Sequence, residues 1–223
     1  MWFIADFIIP NKLFWRQIIF RLWAKGFVKI CGVKIHVSGR LPRPPFFLVS
    51  NHLSYVDIPL LRSITESVFV TKGEIQSWFL AGKIVGDMGN IYINRQNKRD
   101  IPRAGKDILE TLERGEGVIV FPEGTTSNGE KVLEFKSSFF EFAATADLPV
   151  YYASIRYETP DGYPPASEKV CWWRIESTFL PHLRELFKMP TFDAFVTFGE
   201  SPITADNRKD LAKKLQNAVG EIL

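Results

Sequence analysis

The 223-residue sequence predicts an α/β fold, a mixed and largely parallel β-sheet flanked by helices. Three observations carry this. Apolar runs such as "FFLVS" (46–50) and "GVIVF" (117–121) are bounded by turn residues and read as buried strands. The segments between such runs have the length and periodicity of crossover helices, roughly 10 to 15 residues, which is the signature of a sheet covered on its faces. There is no internal repeat, no low-complexity tract and no linker long enough to split the chain.

Taken in order, Val33, Ile35 and Val37 alternate with Lys34 and His36, a strand ended by "SGRLPRPP". "FFLVS" is the next strand. A helix can begin near Ser54, because Ser54 and Asp57 have the spacing of a capping box ahead of "IPLLRSI". "SVFVT" (67–71) is a strand, residues 74–85 look helical, and "NIYIN" (90–94) is a strand. An amphipathic helix over 101–113 leads to "GVIVF", and a helix is expected over 133–146. "PVYYASIRY" (149–157), "KVCWWRIES" (169–177) and "FDAFVTFGES" (192–201) supply further extended segments, and residues 205–219 close as a helix.

The net charge of +3 conceals an asymmetry: residues 1–43 carry eight Lys or Arg against one acid, so the remainder of the chain is net acidic. The basic segment is also dense in Trp, Phe, Ile and Leu. It has no small-residue cleavage site of a secretory signal, and its charges interrupt every window long enough to span a bilayer. From residue 13 to 30, Arg21, Lys25 and Lys29 recur every four residues on one helical face, while Phe14, Trp15, Ile18, Leu22 and Trp23 crowd the rest. That pattern describes an N-terminal membrane-surface helical segment on anionic lipid, residues 1–31, broken by "IPN" (9–11), ahead of a domain over 32–223. Nucleic acid is not expected as a partner, since the bases are interleaved with apolar surface and no basic patch recurs. Cys31 and Cys171 have no metal spacing and suit a reducing compartment as small core residues.

Chemistry concentrates at strand ends. "NHLSYVD" (51–57) places His52 just past a buried strand, with Asp57 five residues on. An imidazole can accept a proton near neutrality if a partner fixes its tautomer. A loop followed by one helical turn would bring Asp57 back to it. Spacing alone favours Asp57 as a helix cap and His52 as a structural donor, and the next motif changes that balance. "FPEGTTSNG" (121–129) follows another strand and offers the carboxylate of Glu123, a turn at Gly124 whose amide could serve an oxyanion, and the hydroxyls of Thr125 and Thr126. "GNIYINR" ends a third strand with Arg95, suited to phosphate at a pocket. His36 and His182 read as structural or exposed.

Together, "NHLSYVD", "GNIYINR", "FPEGTTS" and "LPVYYASI" (148–155) resemble, in order and spacing, the four blocks of the glycerolipid acyltransferases with the NHx4D motif, the 1-acylglycerol-phosphate acyltransferase type. The resemblance covers roughly residues 30–160 and implies acyl transfer from a thioester, acyl-CoA or acyl-carrier protein, to the free hydroxyl of a lysolipid. The acceptor it implies first is 1-acylglycerol-3-phosphate, giving phosphatidic acid. His52 would be the general base and Asp57 its orienting partner. Arg95, Glu123, Gly124, Thr125 and Thr126 would bind the acceptor's polar head. No metal or organic cofactor is implied, and the enzyme would sit on the cytoplasmic face of the inner membrane. Consistent with direct attack, the sequence has no GxSxG elbow. Members acting on lysophosphatidate often read EGTR, whereas position 126 here is Thr. Lys72, Lys131 or Lys136 would have to replace that charge. The departure keeps open another lysolipid acceptor, such as lyso-ornithine lipid or a lysophospholipid with a larger head group. An inactive lipid-binding module and a thioester hydrolase are the remaining alternatives.

Overall fold

A computed structural model describes residues 12–73, 86–94, 100–173 and 178–223. Seven strands form one sheet: β1 (Val33–Gly39), β2 (Phe46–Ser50), β3 (Ser67–Lys72), β4 (Ile91–Ile93), β5 (Gly117–Val120), β6 (Val150–Glu158) and β7 (Phe192–Phe198). Their order is β1-β7-β6-β2-β5-β3-β4. Among the described strands only β6 and β7 pair antiparallel, every other neighbour pairing being parallel. The expected α/β architecture is therefore present.

The two-residue period of the strands sorts side chains into two cores. Phe46 and Leu48 point to one face, with Leu60, Leu61, Val196 and Cys31. Phe47 and Val49 point to the other, with Ile108, Phe139, Leu211 and Leu215. The central strands β2 and β5 are buried along their whole length, so they read as continuous apolar runs, whereas β7 alternates strictly. Phe46 lies opposite Gly117, where any Cβ would meet its ring at 2.3 Å. Glycine is required there by packing.

The helices are α1 (Lys12–Ile30), α2 (Asp57–Ile64), α3 (Asp100–Glu113), α4 (Glu141–Thr145), α5 (Ala166–Lys169), α6 (Phe179–Lys188) and α7 (Arg208–Glu221) among the described residues. Three expectations need correction. The helix sought over 133–146 is reduced to a 3-10 turn at Ser137–Phe140 and α4. Its first residues give their amides elsewhere: Leu133 to Glu123, Phe135 to Gln216 and Lys136 to the Pro122 carbonyl. "KVCWWRIES" is not a strand where described, because it leaves α5 as irregular chain whose Trp172 amide bonds the Leu53 carbonyl. A helix absent from the sequence reading, α6, occupies 179–188, with Pro181 tolerated in its first turn. The expected helix at 74–85, the break at 9–11 and Arg95 lie outside the described residues.

β2, β3, β4 and β5 run parallel, so their carboxyl ends share one edge of the sheet, where open α/β folds bind ligands. Asn51, the first residue beyond β2, extends that edge with its side chain. Its Nδ2 donates to the Ile155 carbonyl at 2.9 Å and its Oδ1 accepts from the Ile155 amide at 2.7 Å, standing in for a peptide unit of the ladder. Asn51→Ala leaves both backbone groups buried and unpaired. A loss of about 2–4 kcal/mol is expected, read as a lower urea midpoint at unchanged slope.

Candidate active site

The chain turns sharply between β2 and α2, and this turn assembles the site. Asp57 is the first residue of α2 and is fully buried. Its Oδ2 accepts from the Leu53 amide at 2.7 Å, the Ser54 amide at 3.0 Å and His52 Nδ1 at 2.7 Å. Its Oδ1 accepts from the Tyr157 hydroxyl at 2.7 Å. The carboxyl half of the expected capping box is thus made, the carboxylate reaching back to Ser54. The hydroxyl half is not: Ser54 Oγ has no partner among the described residues, and the Asp57 amide bonds the Ser54 carbonyl instead.

A carboxylate surrounded by donors fixes the histidine tautomer. Nδ1 carries the proton and donates to Asp57, leaving Nε2 as an acceptor. The imidazole is 18% exposed while Asp57 is sealed, so the ring is the point where this hydrogen-bonded chain meets solvent. Phe121 stacks on it at 4.0 Å and 9°, which holds the ring plane. Tyr157 remains a neutral donor, because burial and the Asp57 charge push its pKa far above the ordinary phenol value.

The "FPEGTTSNG" loop is tied to this turn by the Ser127 amide, which donates to the His52 carbonyl at 2.9 Å. Gly124 has φ +75°, the left-handed conformation that favours glycine, and its amide donates to the Phe121 carbonyl at 3.1 Å. That amide therefore closes the turn, and the oxyanion role considered for it is withdrawn. Glu123 lies beneath the loop, 2% exposed, accepting from the Leu133 amide at 3.3 Å. Burial is the main reason its pKa rises to about 8; the amides of Leu133 and His52 oppose the rise and the Asp57 charge adds to it. Thr125 is exposed, and Thr126 donates to the Trp172 carbonyl.

Residues 32–156, more than half of the chain, match the family described as Acyltransferase. The chain belongs to that family. This acyltransferase is 32% identical to the lyso-ornithine lipid O-acyltransferase of Pseudomonas aeruginosa, over 92% of this chain and 78% of that protein. It is 33% identical to the 1-acyl-sn-glycerol-3-phosphate acyltransferase of Neisseria gonorrhoeae, over 69% of this chain and 64% of that protein. The crystal structure of the 1-acyl-sn-glycerophosphate acyltransferase from Thermotoga maritima has the same fold, with a TM-score of 0.67 at 21% identity, covering 98% of this chain and 86% of that one.

Of the residues singled out in the sequence, the structure brings His52 and Asp57 into contact and sets the Glu123–Thr126 turn against their loop. Sequence reasoning missed Tyr157, Phe121 and the clamping role of Asn51. Spacing carries no signal for Tyr157, which meets Asp57 from 100 residues away. Both cysteines are buried, with burial pushing the thiols up to about 12, so neither is a thiolate nucleophile at neutral pH.

Two outcomes follow for this acyltransferase. Tyr157→Phe keeps the ring and deletes one hydrogen bond to a carboxylate; a loss of about 1.5–3 kcal/mol is expected in denaturant unfolding, with kcat reduced more than KM changes. Glu123 ordinarily titrates near 4.5 but holds its proton to about 8 when folded. The folded state thus binds more protons across that interval, and stability falls as pH rises through it, then levels. Glu123→Gln should remove this slope and gain on wild type towards alkaline pH in thermal unfolding.

Proposed function

We propose that this acyltransferase moves a fatty acyl chain from acyl-CoA or acyl-carrier protein to the free hydroxyl of a lysolipid at a membrane surface. The observation that carries the reading is the chain Tyr157–Asp57–His52, which ends in an outward-facing Nε2 at the carboxyl edge of the sheet. Nε2 removes the hydroxyl proton as the oxygen attacks the thioester carbonyl. The imidazolium so formed is stabilised by Asp57. Collapse of the tetrahedral intermediate breaks the C–S bond, and the departing thiolate takes the proton back. The acid and base steps use one group, and no acyl-enzyme is required.

The acceptor's polar head is assigned to the loop that flanks this edge. Thr125 contacts it from the rim, with Thr126 and Gly124 shaping the turn, and Glu123 supports the loop from below as a neutral acid. Arg95 supplies the cationic contact. The wet face of α1 supports the membrane seat. Trp15, Ile19, Leu22, Trp23 and Ile30 are exposed along it, with Lys25 and Lys29 on its flank, whereas Phe20, Ala24 and Val28 pack inward. Arg21, expected with the lysines, instead turns inward to the Ser63 carbonyl and Glu66. No described helix is long and apolar enough to cross a membrane. An interfacial seat for residues 1–31, on the cytoplasmic leaflet where both donors occur, fits these features.

For the acceptor we favour lyso-ornithine lipid. The Pseudomonas aeruginosa and Rhizobium meliloti enzymes of that name align with 92% and 91% of this chain. In addition, Thr126 leaves the loop without the arginine common in enzymes acting on lysophosphatidate, and its hydroxyl is committed to Trp172. The second reading, 1-acylglycerol-3-phosphate, is supported by Arg95 and by the Neisseria relative. In mixed micelles, thiol release from each donor should depend on a lysolipid acceptor and be fastest with lyso-ornithine lipid. His52→Ala should lower kcat by about 10²–10⁴. Release that needs no acceptor, or that survives loss of His52, refutes the assignment.

A further inference from the structure

Among the described residues, the most exposed large apolar side chain outside the N-terminal helix is Leu180, 71% exposed, and Phe187 on the same helix is 45% exposed. Seven residues apart, they lie within about 20° of each other on a 100° helical wheel, with Arg184 and Lys188 along one margin and the half-buried Leu183, packed against the core, along the other. The opposite face of α6 is committed to the protein. Leu186 is fully buried, and His182 Nδ1 pairs with the Tyr55 hydroxyl at 2.9 Å. Phe179 packs edge-on against Tyr55 at 4.9 Å. A short helix with a buried side and an apolar outer stripe bordered by cations has the form of an interfacial element.

Its position supplies the occupant. The Phe187 ring sits 6.1 Å from Phe27 of α1, and Phe27 sits 5.9 Å from Trp23. The outer stripe of α6 therefore continues, ring to ring, into the exposed face of α1. Lys25 and Lys29 of α1 and Arg184 and Lys188 of α6 are all exposed, so the joined surface is apolar and cationic. Glu185, the one acid of α6, lies off the apolar stripe and pairs with Lys188 at 2.8 Å. A second copy of this chain would bring like charges together across such a face; an anionic bilayer answers both its apolar and its cationic character.

We propose that α6 is a second membrane-docking element, seated in anionic lipid beside α1 through Leu180 and Phe187. The inference rests on the membrane seat proposed above and extends it to the catalytic side of the molecule. Tyr55 lies between His52 and Asp57, so α6 is one hydrogen bond from the loop that carries both. Docking by α1 alone leaves the tilt of the domain free about that helix. Two adjoining helices fix the plane, and they fix it on the helix that buttresses the catalytic turn.

The experiment uses the full chain with two probes, pure phosphatidylcholine vesicles and phosphatidylcholine vesicles containing phosphatidylglycerol. The variant is Leu180→Glu/Phe187→Glu, whose positions touch neither His52 nor Asp57, and Trp15→Glu/Leu22→Glu in α1 is the reference. Flotation should show stronger binding to the anionic vesicles, and the α6 variant should lose roughly tenfold in partition coefficient from the apolar area no longer buried. Acyl transfer to a short-chain acceptor in solution should be unchanged, which also reports intact folding. Because that substitution could act by other routes, a Leu180→Trp chain supplies an independent readout: its emission should shift blue on the vesicles and be quenched by brominated lipid. Binding equal to wild type together with no quenching at position 180 overturns the proposal and leaves α1 as the sole anchor. A lipid-free, concentration-dependent dimer abolished by the α6 variant would also overturn it, assigning the face to a second copy. If no donor–acceptor pair shows transfer in any form of the protein, the acyltransferase reading of the site fails while the partition data still decide the role of α6.

Discussion

The buried carboxylate of Asp57 is the constraint on which the site depends. A charge removed from water is tolerable only when its lone pairs are met, and here four donors from two parts of the chain meet them. Two are amides of the turn itself, so the carboxylate dictates the path between β2 and α2. One is Tyr157 on β6, which ties the turn to the sheet. The last is His52, so satisfying the charge and orienting the base are the same event. Asn51 acts one residue earlier by the same logic, binding the β6 backbone through its amide.

Around this turn the polar groups become progressively wetter. Asp57 and Tyr157 are sealed, Glu123 is held neutral by burial, His52 is partly open and Thr125 faces solvent. Such a gradient leaves the imidazole as the point where the buried network meets solvent. The seam between α1 and α2 is polar in a different sense. Arg62 is fully buried there, with Arg16, Arg21, Glu66 and Glu116 as its charged neighbours, and burial lowers its pKa to about 10. Arg16 and Gln17 of α1 both bond Glu116. The helix that faces outward with apolar residues is thus fastened inward by charge, which explains why Arg21 turns away from the lysines that follow it.

Much of the architecture was legible. The sheet was readable because apolar strands of three to nine residues and a two-residue period survive in the linear sequence. The four blocks were recognisable because they occur in a fixed order, three of them at strand ends and the fourth running into β6. What misled was local: "KVLEFKSSFFEFA" has helical composition, yet its first amides are taken by Glu123, Pro122 and Gln216, tertiary partners that no local propensity encodes. Pro181 hid α6 in the same way, since a proline reads as a break although the first helical turn accommodates it.

By itself, then, the sequence determined the strand order along the chain, the alternation that builds two cores, the basic and aromatic character of the N-terminal segment, and which residue types stand at the strand ends. These are short-range properties, set by covalent spacing and by the periods of helix and strand. Only the tertiary structure decided that Tyr157 completes the set of donors around Asp57, that Glu123 lies under its loop and Thr126 is tied to Trp172, and that α1 and α6 share an outward apolar face. Each of those depends on chain segments brought together by the sheet, and burial and hydrogen-bond partners exist only once they have met.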